Sequence, residues 1–270
     1  MMITVVKVGG TVLDEGLTES FIEDIKRSLS QTKIVLVHGG GKKVTEIASK
    51  MGKEQQFLVS PEGFRSRYTD RETMEIFTMV MAGKINKRIV SSFLAHGVQA
   101  VGITGIDGAS VKASRKKQII AVEETGRKRL VDDSYTGKIE SIDPKLISLL
   151  LENGYTPVVA PIVISEEFEE LNVDGDRMAA HIAGSLRAER LVLLTDVEGL
   201  VLNGNLIPRL TLQEAESALS VIGKGMITKI HAAVEAVKMS VGEAVVMSGL
   251  QEDPISKSLS GKSGTVIVRG

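Results

Sequence analysis

Two short glycine turns, each directly after an apolar run, are the segments of this chain best suited to hold an anion. The run at 3–8 includes Lys7 and leads into Gly9-Gly10, and the run at 34–37 leads into His38-Gly39-Gly40-Gly41. Because glycine has no Cβ atom, backbone N–H groups in such turns can approach an anion closely, and a helix that starts there adds partial positive charge. Together with the ammonium group of Lys7, these turns predict a phosphate-binding site.

Composition and charge exclude several classes of protein. The 270 residues are 43% hydrophobic, which is enough for one large α/β domain or for two lobes. A net charge of −1 offers no bulk attraction to nucleic acids or membranes, and 3% aromatic residues argue against base-stacking surfaces. Cysteine is absent, so disulfides, thiolate metal sites and thiol nucleophiles are excluded. Without a leader pattern or a long apolar segment, we expect a cytoplasmic protein.

Apolar runs typical of strands alternate with segments of helical periodicity. The strand-like runs lie near 3–8, 33–37, 98–103, 157–163, 190–195, 243–247 and 264–268. The helical segments lie near 17–29, 42–51, 70–95, 143–153, 176–187, 211–220 and 226–240. This alternation predicts an α/β fold in which a mostly parallel sheet is covered by helices on both faces.

Two regions interrupt the alternation and predict antiparallel hairpins. The first is 111–140, centred on Thr125-Gly126, and the second is 197–208, which contains Asn203-Gly204. Asp143-Pro144 suits the N-cap and the first position of the helix that follows it. No internal repeat or low-complexity linker separates the chain into distant parts.

Five motifs occur in an order that extends over nearly the whole chain. They lie at 7–10, 38–41, 172–176 (NVDGD), 194–199 (LTDVEG) and 225–229 (GMITK). Together they resemble the amino acid kinase family, and acetylglutamate kinases in particular. The resemblance implies a three-layer α/β sandwich with a mostly parallel central sheet. Its N-terminal lobe, 1–180, would bind the acyl acceptor and mediate dimerisation, and its C-terminal lobe, 181–270, would bind ATP.

Two further segments resemble one branch of that family. They are 60–70 (SPEGFRSRYTD) and 102–108 (GITGIDG), and they are similar to the archaeal branch that phosphorylates aminoadipate or glutamate attached to the amino-group carrier protein LysW. Acetylglutamate kinases usually have proline after the triple glycine, whereas this chain has Lys42. We therefore expect a carrier-linked substrate, in lysine or arginine biosynthesis. An N-acetylglutamate kinase of arginine biosynthesis is the alternative.

Two other functions fit the sequence less well. A carbamate kinase also makes an acyl phosphate, but its acceptor site lacks a substrate-carboxylate arginine of the kind that Arg67 offers. A regulatory amino-acid-binding module would not need the complete set of Lys7, Asp176 and Lys229.

The resemblance implies a reaction in which a carboxylate attacks the γ-phosphorus of ATP and becomes an acyl phosphate. A carboxylate is already ionised at neutral pH and needs no general base. Catalysis then rests on positioning and on neutralising charge around the transferred phosphoryl group. By resemblance, Lys7 lies over that group, Lys229 neutralises the leaving side and Asp176 orients both lysines. Mg²⁺ is expected on ATP, without ligands from protein side chains.

The resemblance also assigns ligand contacts. The expected ATP contacts are Lys7, Gly9, Gly10, Asp196 and Lys229, and the expected acceptor contacts are Gly40, Gly41, Arg67 and Asn172. Asp196 could instead cap a helix, and Asn172 could be a simple turn residue. Arg67 is favoured over Arg65 as the arginine that binds a carboxylate through a bidentate fork. His38 is expected to be a structural hydrogen-bonding residue rather than an acid–base group.

A locally basic set of residues on this nearly neutral chain could attract an acidic protein partner. The candidate carrier contacts are Lys42, Lys43, Arg65, Arg115, Lys116, Lys117, Lys128 and Arg129. The alternative is a solvated hairpin whose lysines protect its edge from pairing. From the resemblance we expect a homodimer. Because the first strand begins at Ile3, we expect no N-terminal helix of the kind found in arginine-inhibited acetylglutamate kinases.

Overall fold

An eight-stranded sheet forms the centre of the molecule. The computed structural model describes residues 2–13, 17–61, 63–122, 127–223, 225–261 and 264–270. The strands of the central sheet, in spatial order, are β16 (Arg209–Thr211), β18 (Thr265–Val268), β17 (Glu243–Ser248), β13 (Arg190–Thr195), β1 (Met2–Val8), β2 (Thr32–His38), β10 (Thr156–Ala160) and β5 (Ala100–Thr104). Six of these strands are parallel to one another, and only β18 and β16 run in the opposite direction.

Helices cover both faces of this sheet. The α-helices are α1 (Gly10–Leu13), α2 (Glu19–Ser28), α3 (Gly41–Lys50), α4 (Arg71–Thr78), α5 (Asn86–Ala95), α6 (Lys145–Glu152), α7 (Gly175–Ser185), α8 (Leu212–Ala218), α9 (Met226–Lys238) and α10 (Pro254–Leu259). Alternate residues of β1 belong to different cores, since Val5 packs with α6, α7 and α9 while Val6 packs with α2 and α5. This period of two is the pattern of a strand buried on both faces, and it makes the fold a three-layer α/β sandwich as expected.

Smaller sheets extend from the end of the central one. The strands of a four-stranded sheet are, in order, β12 (Glu170–Asn172), β11 (Ile162–Ile164), β6 (Val111–Arg115) and β9 (Gly137–Ile142). Three antiparallel pairs are β3 (Phe57–Val59) with β4 (Arg65–Arg67), β7 (Gln118–Val122) with β8 (Lys128–Asp132), and β14 (Val201–Leu202) with β15 (Asn205–Leu206).

Both predicted hairpins are confirmed, and the first is larger than expected. Strands β7 and β8 form the predicted pair, although its turn at Thr125-Gly126 lies outside the described residues. Outside that pair, β6 and β9 form a second antiparallel pair that joins the four-stranded sheet. In the second hairpin, Asn203 and Gly204 both have positive φ, 50° and 78°, as a tight two-residue turn requires.

Three element boundaries differ from the predictions. The run at 157–163 contains two strands, β10 and β11, because Pro161 separates them. The helical segment at 70–95 is continuous but includes a π-helical stretch, Met79–Ile85, which hydrophobic periodicity does not distinguish from an α-helix. Helix α6 begins one residue later than expected, at Lys145, whose N–H still donates to the Asp143 carboxylate at 3.1 Å.

The sheet brings the predicted site segments to one edge. Strands β1, β2 and β13 are parallel, and Val8 is paired with both His38 and Leu194 at their carboxyl ends. Ligands of open α/β sheets bind outside the carboxyl ends of the strands. Within the described ranges, no helix combines the length and the apolar character that a membrane span needs.

Candidate active site

The two glycine turns pack directly against each other. The Gly39 N–H donates to the Val8 carbonyl at 2.9 Å. A Cβ atom on Gly39 would lie 3.3 Å from the Gly10 nitrogen, so a larger residue would push the turns apart. Gly40 has φ of +145°, and a Cβ atom there would lie 2.2 Å from the Ile85 side chain. The backbone angle therefore favours glycine at this position, and a larger residue would also displace the end of the Ile85 side chain.

His38 holds the second turn through hydrogen bonds. The ring is completely buried, with Nδ1 2.9 Å from the Gly39 carbonyl and Nε2 3.2 Å from the side-chain nitrogen of Asn86. Burial lowers the pKa of His38 to about 4, and the positive charges of Lys7 and Lys87 also disfavour protonation. The imidazole is therefore neutral near pH 7, which agrees with the expected structural role.

Asp176 joins two lysines from different parts of the chain. One carboxylate oxygen, Oδ1, lies 2.6 Å from the Lys7 Nζ, and the other, Oδ2, lies 3.2 Å from the Lys229 Nζ. Asp176 is in the first turn of α7, Lys7 is near the end of β1, and Lys229 is in the first turn of α9. The Asp176 side chain is 4% exposed, so these charges interact with little water between them.

The ion pairs determine the protonation states of this cluster. Burial alone would raise the pKa of Asp176, but the charges of Lys7 and Lys229 and their hydrogen bonds lower that pKa below its ordinary value. Burial alone would lower the pKa of Lys7, but the charge and hydrogen bond of Asp176 raise it above its ordinary value. Asp176 is therefore an anion and Lys7 a cation at neutral pH, and the Asp176 carboxylate is shared between two ammonium groups.

Asp174 contributes a second carboxylate beside this cluster. It is the N-cap of α7 and accepts the Arg177 N–H at 2.9 Å. The sequence motif contained Asp174, but no ligand role was assigned to it.

Two cavities meet at Lys7. The β13 cavity, of about 490 Å³, lies beyond the end of β13, and its lining includes Lys7, Gly9, Gly10, Thr195, Asp196, Gly199, Gly225, Met226 and Lys229. The arginine cavity, of about 640 Å³, lies under the β3–β4 hairpin, and its lining includes Lys7, Gly40, Gly41, Arg65, Arg67, Lys116, Asn172, Asp174 and Gly175. All residues predicted to contact ATP line the β13 cavity, and all residues predicted to contact the acceptor line the arginine cavity. Lys7 is common to both.

Arg67 is held rigidly in the wall of the arginine cavity. Its guanidinium donates to the Gly41 carbonyl at 2.7 Å, to the Thr45 hydroxyl at 3.0 Å and to the side-chain oxygen of Gln55. Burial lowers the pKa of Arg67 to about 10, and the neighbouring charge of Arg65 adds to this effect. Arg67 therefore remains a cation at neutral pH. Such a preoriented cation is well suited to a carboxylate.

Asn172 also lines the arginine cavity, at the end of β12. Its side-chain nitrogen donates to the Thr69 hydroxyl at 3.1 Å, and its backbone N–H donates to the Tyr135 carbonyl at 2.9 Å. These bonds hold the amide group in the cavity lining, and Asn172 is the last residue of a strand.

The structure divides the predicted carrier contacts among three places. Arg65 and Lys116 line the mouth of the arginine cavity, and Lys117, Lys128 and Arg129 are exposed on or beside the β7–β8 hairpin. Lys42 and Lys43 line a different opening, the lysine cavity, of about 680 Å³, which also contains Lys84 and Arg88. Glu62, within the branch motif, lies outside the described residues, as do Glu123 and Glu124 of the hairpin.

Arg115 requires a correction, because it is an internal ion-pair residue and is not available to a partner. Its guanidinium lies 2.6 Å from both Asp133 and Glu169 and 3.6 Å above the Tyr135 ring, and its side chain is only 10% exposed. The run of basic residues in the sequence gave no sign of these partners.

Several residues of the arginine cavity were not predicted. Phe64, Arg177, His231 and Glu235 also line this cavity. Arg177 and His231 each follow a predicted catalytic lysine or aspartate closely in sequence, which is the signal that could have indicated them. In the described parts of the chain, no group of three or more His, Asp or Glu side chains is placed to hold a metal ion.

Comparison with known proteins identifies the family. Residues 2–248 match the amino acid kinase family, and the chain belongs to that family. It is 46% identical over 265 residues to a [LysW]-aminoadipate/[LysW]-glutamate kinase of Sulfurisphaera tokodaii, with 98% of this chain and 99% of the relative covered. It is 44% identical over 264 residues to the protein of the same description in Metallosphaera sedula, with 97% and 99% covered.

A solved structure shares the fold. Carbamate kinase from Giardia lamblia bound to AMP-PNP has a TM-score of 0.66 to this chain at 18% identity, with 99% of this chain and 98% of that one covered. At this identity the likeness concerns the fold alone.

His38 predicts a dependence of stability on acidic pH. Its folded pKa of about 4 lies below the ordinary 6.5. The unfolded chain therefore binds more protons between these values, and the free energy of unfolding falls as the pH is lowered from 6.5 to 4, by at most about 3 kcal/mol. We expect His38→Gln to flatten this part of the profile in urea titrations. His96→Gln, at a partly exposed histidine, is the control and should retain the slope. An unchanged slope in His38→Gln would contradict the assignment.

Proposed function

We propose that this protein transfers the γ-phosphoryl group of ATP to the side-chain carboxylate of aminoadipate or glutamate carried by LysW, and so forms an acyl phosphate. The observation that carries this proposal is the position of Lys7, which lines both cavities and is anchored by Asp176. A phosphoryl group that moves from one cavity to the other would pass this ammonium group. The descriptions of the relatives support the choice of acceptor.

ATP would occupy the β13 cavity. Gly9 and Gly10 would offer backbone N–H groups to its phosphates, and Asp196, which is exposed at the end of β13, would contact the nucleotide. Lys229 would neutralise charge on the leaving ADP. Mg²⁺ would arrive on the phosphates of ATP, as it usually does in kinases.

The acceptor would occupy the arginine cavity with its reactive carboxylate near Lys7. Arg67 and Asn172 would bind the other polar groups of the amino acid, and Gly40 and Gly41 would offer backbone donors near the attacking carboxylate. No residue needs to remove a proton, because the carboxylate is already ionised at neutral pH. Catalysis would consist of holding the two reactants in line and of stabilising the charge that develops on the phosphoryl oxygens.

The carrier would approach the mouth of the arginine cavity. Arg65 and Lys116 line that mouth, and Lys117, Lys128 and Arg129 are exposed nearby. Cations grouped in this way attract an acidic partner over roughly 8–10 Å at ordinary ionic strength. Lys42 and Lys43 would have a secondary role, because they line the lysine cavity and not the arginine cavity, and Lys43 is already paired with Glu46 at 2.5 Å.

We further propose a role for each lobe, together with the location, the oligomeric state and the pathway of the enzyme. Residues 1–180 would form the acceptor-binding and dimerisation lobe, and 181–270 would form the ATP-binding lobe. The protein would act as a cytoplasmic homodimer, in lysine biosynthesis, in arginine biosynthesis or in both. The alternative acceptor is free N-acetylglutamate, which Arg67 and Asn172 would also suit.

The lysine cluster predicts a loss of turnover with retained folding. Lys7→Ala and Lys229→Ala should each lower kcat by about 100-fold or more, because each removes a charge that stabilises the transition state. Asp176→Asn should also be impaired, since both lysines lose their anchor. Lys145→Ala, at a side chain that is 89% exposed, is the control and should retain activity. Near wild-type turnover in a folded Lys7 or Lys229 variant would refute the role assigned to that lysine.

Lys116 and Lys117, just before the β7–β8 hairpin, predict an effect that is specific to the carrier-linked substrate. Charge reversal in Lys116→Glu/Lys117→Glu should raise KM for the carrier-linked substrate and weaken its dependence on salt, with little change in KM for ATP. Lys26→Glu/Lys145→Glu changes the net charge equally at exposed lysines that line none of the three cavities. If both double variants behave alike in a salt series, the hairpin does not attract the carrier.

A further inference from the structure

A contact between two rings spans the arginine cavity. Phe64, just before β4, meets His231 of α9 edge-on, with ring centroids 5.4 Å apart and ring planes at 79°. The β4 strand carries Arg67, and α9 carries Lys229 two residues before His231. The contact therefore joins the hairpin that covers the acceptor to the helix that carries a proposed catalytic lysine.

A carboxylate, that of Glu235, lies beside the His231 ring. The Nδ1 of the ring lies 3.7 Å from a carboxylate oxygen of Glu235, one helical turn later. Glu235 in turn accepts two hydrogen bonds from Arg177, from Nε at 2.9 Å and from Nη2 at 2.6 Å. This bidentate pair fixes the carboxylate that lies beside the imidazole.

The last residue in this series of contacts, Arg177, lies next to the proposed catalytic cluster. Arg177 directly follows Asp176, and its backbone N–H is bound by Asp174 in the first turn of α7. Phe64, His231, Glu235 and Arg177 thus form a continuous chain of contacts from the hairpin to that turn. None of the four has a part in the phosphoryl-transfer chemistry described above, yet all four line the arginine cavity.

We propose that His231 is a positioning residue that sets the height of the β3–β4 hairpin over the acceptor through its contact with Phe64. This inference rests on the proposed function, since it takes the arginine cavity as the acceptor site. Arg65 stacks on Phe57 at 4.0 Å, a contact that lies within the hairpin and does not tie it to the rest of the molecule. Arg67 is anchored to α3 through Gly41 and Thr45, so displacement of the hairpin would mainly shift Phe64 and Arg65 over the acceptor while leaving the residues of the β13 cavity in place.

The expected size of the effect follows from the type of contact. An edge-to-face aromatic pair contributes an amount that corresponds to about a threefold to tenfold change in an equilibrium constant. His231 and Phe64 line the arginine cavity and are not part of the lining of the β13 cavity. The change should therefore appear in KM for the acceptor and not in KM for ATP.

The test is a double-mutant cycle with carrier-linked glutamate as the acceptor. Phe64→Ala and His231→Ala should each raise KM for the acceptor by about threefold to tenfold. Because both remove the same contact, KM of the double variant should be no higher than that of the more impaired single variant. His231→Phe should restore most of the loss, because it keeps a ring against Phe64 without an ionisable nitrogen. Phe168→Ala, at a phenylalanine that is 84% exposed outside the cavity, is the matched control and should leave KM unchanged.

Hydrogen exchange supplies a readout that does not depend on activity. Without any acceptor, His231→Ala should speed amide exchange in strands Phe57–Val59 and Arg65–Arg67, and His231→Phe should not. Additive effects in the cycle, a change in KM for ATP alone, or unchanged exchange of the hairpin would each overturn the positioning role. A wild-type protein that uses no carrier-linked acceptor would instead overturn the proposed function, so the two failures are distinguishable.

Discussion

The buried carboxylate of Asp176 is the constraint on which the proposed site depends. It lies between two lysines that come from the first strand and from a helix more than two hundred residues later. Without Asp176, two ammonium groups would lie close together in a nearly dry environment, where like charges repel strongly and desolvation is costly. With it, both ammonium groups have a counter-charge, and Lys7 is held at the boundary between the two cavities. The fold must therefore bring three distant elements to one point, and it does so at the edge where β1 ends.

Much of this arrangement could be predicted from the sequence because it is encoded locally. The apolar runs of β1 and β2 and the glycines after them indicate buried parallel strands that end in anion-binding turns. The resemblance of the motif at 172–176 placed Asp176 near Lys7, and the structure brings the two side chains into contact. Asn203-Gly204 indicated its hairpin because few residue pairs adopt positive φ so readily.

The features that could not be predicted depend on partners that are distant in sequence. Arg115 looked like an exposed cation of a basic hairpin, but Asp133 and Glu169 hold it inside the fold. The π-helical stretch Met79–Ile85 has the same apolar periodicity as its α-helical flanks, although it places Ile85 against Gly40. The contact between Phe64 and His231 arises from tertiary packing alone. In each case the local sequence permits several outcomes, and long-range packing selects one.

The most direct measurement compares acceptors. Initial rates of ATP-dependent acyl phosphate formation, trapped as the hydroxamate, can be measured with carrier-linked glutamate, carrier-linked aminoadipate and free N-acetylglutamate. We expect kcat/KM to be much higher for at least one carrier-linked acceptor than for free N-acetylglutamate, with no product when ATP is omitted. If free N-acetylglutamate were the better substrate, or if no acceptor yielded a hydroxamate, the proposal that this chain phosphorylates a carrier-linked carboxylate would be contradicted.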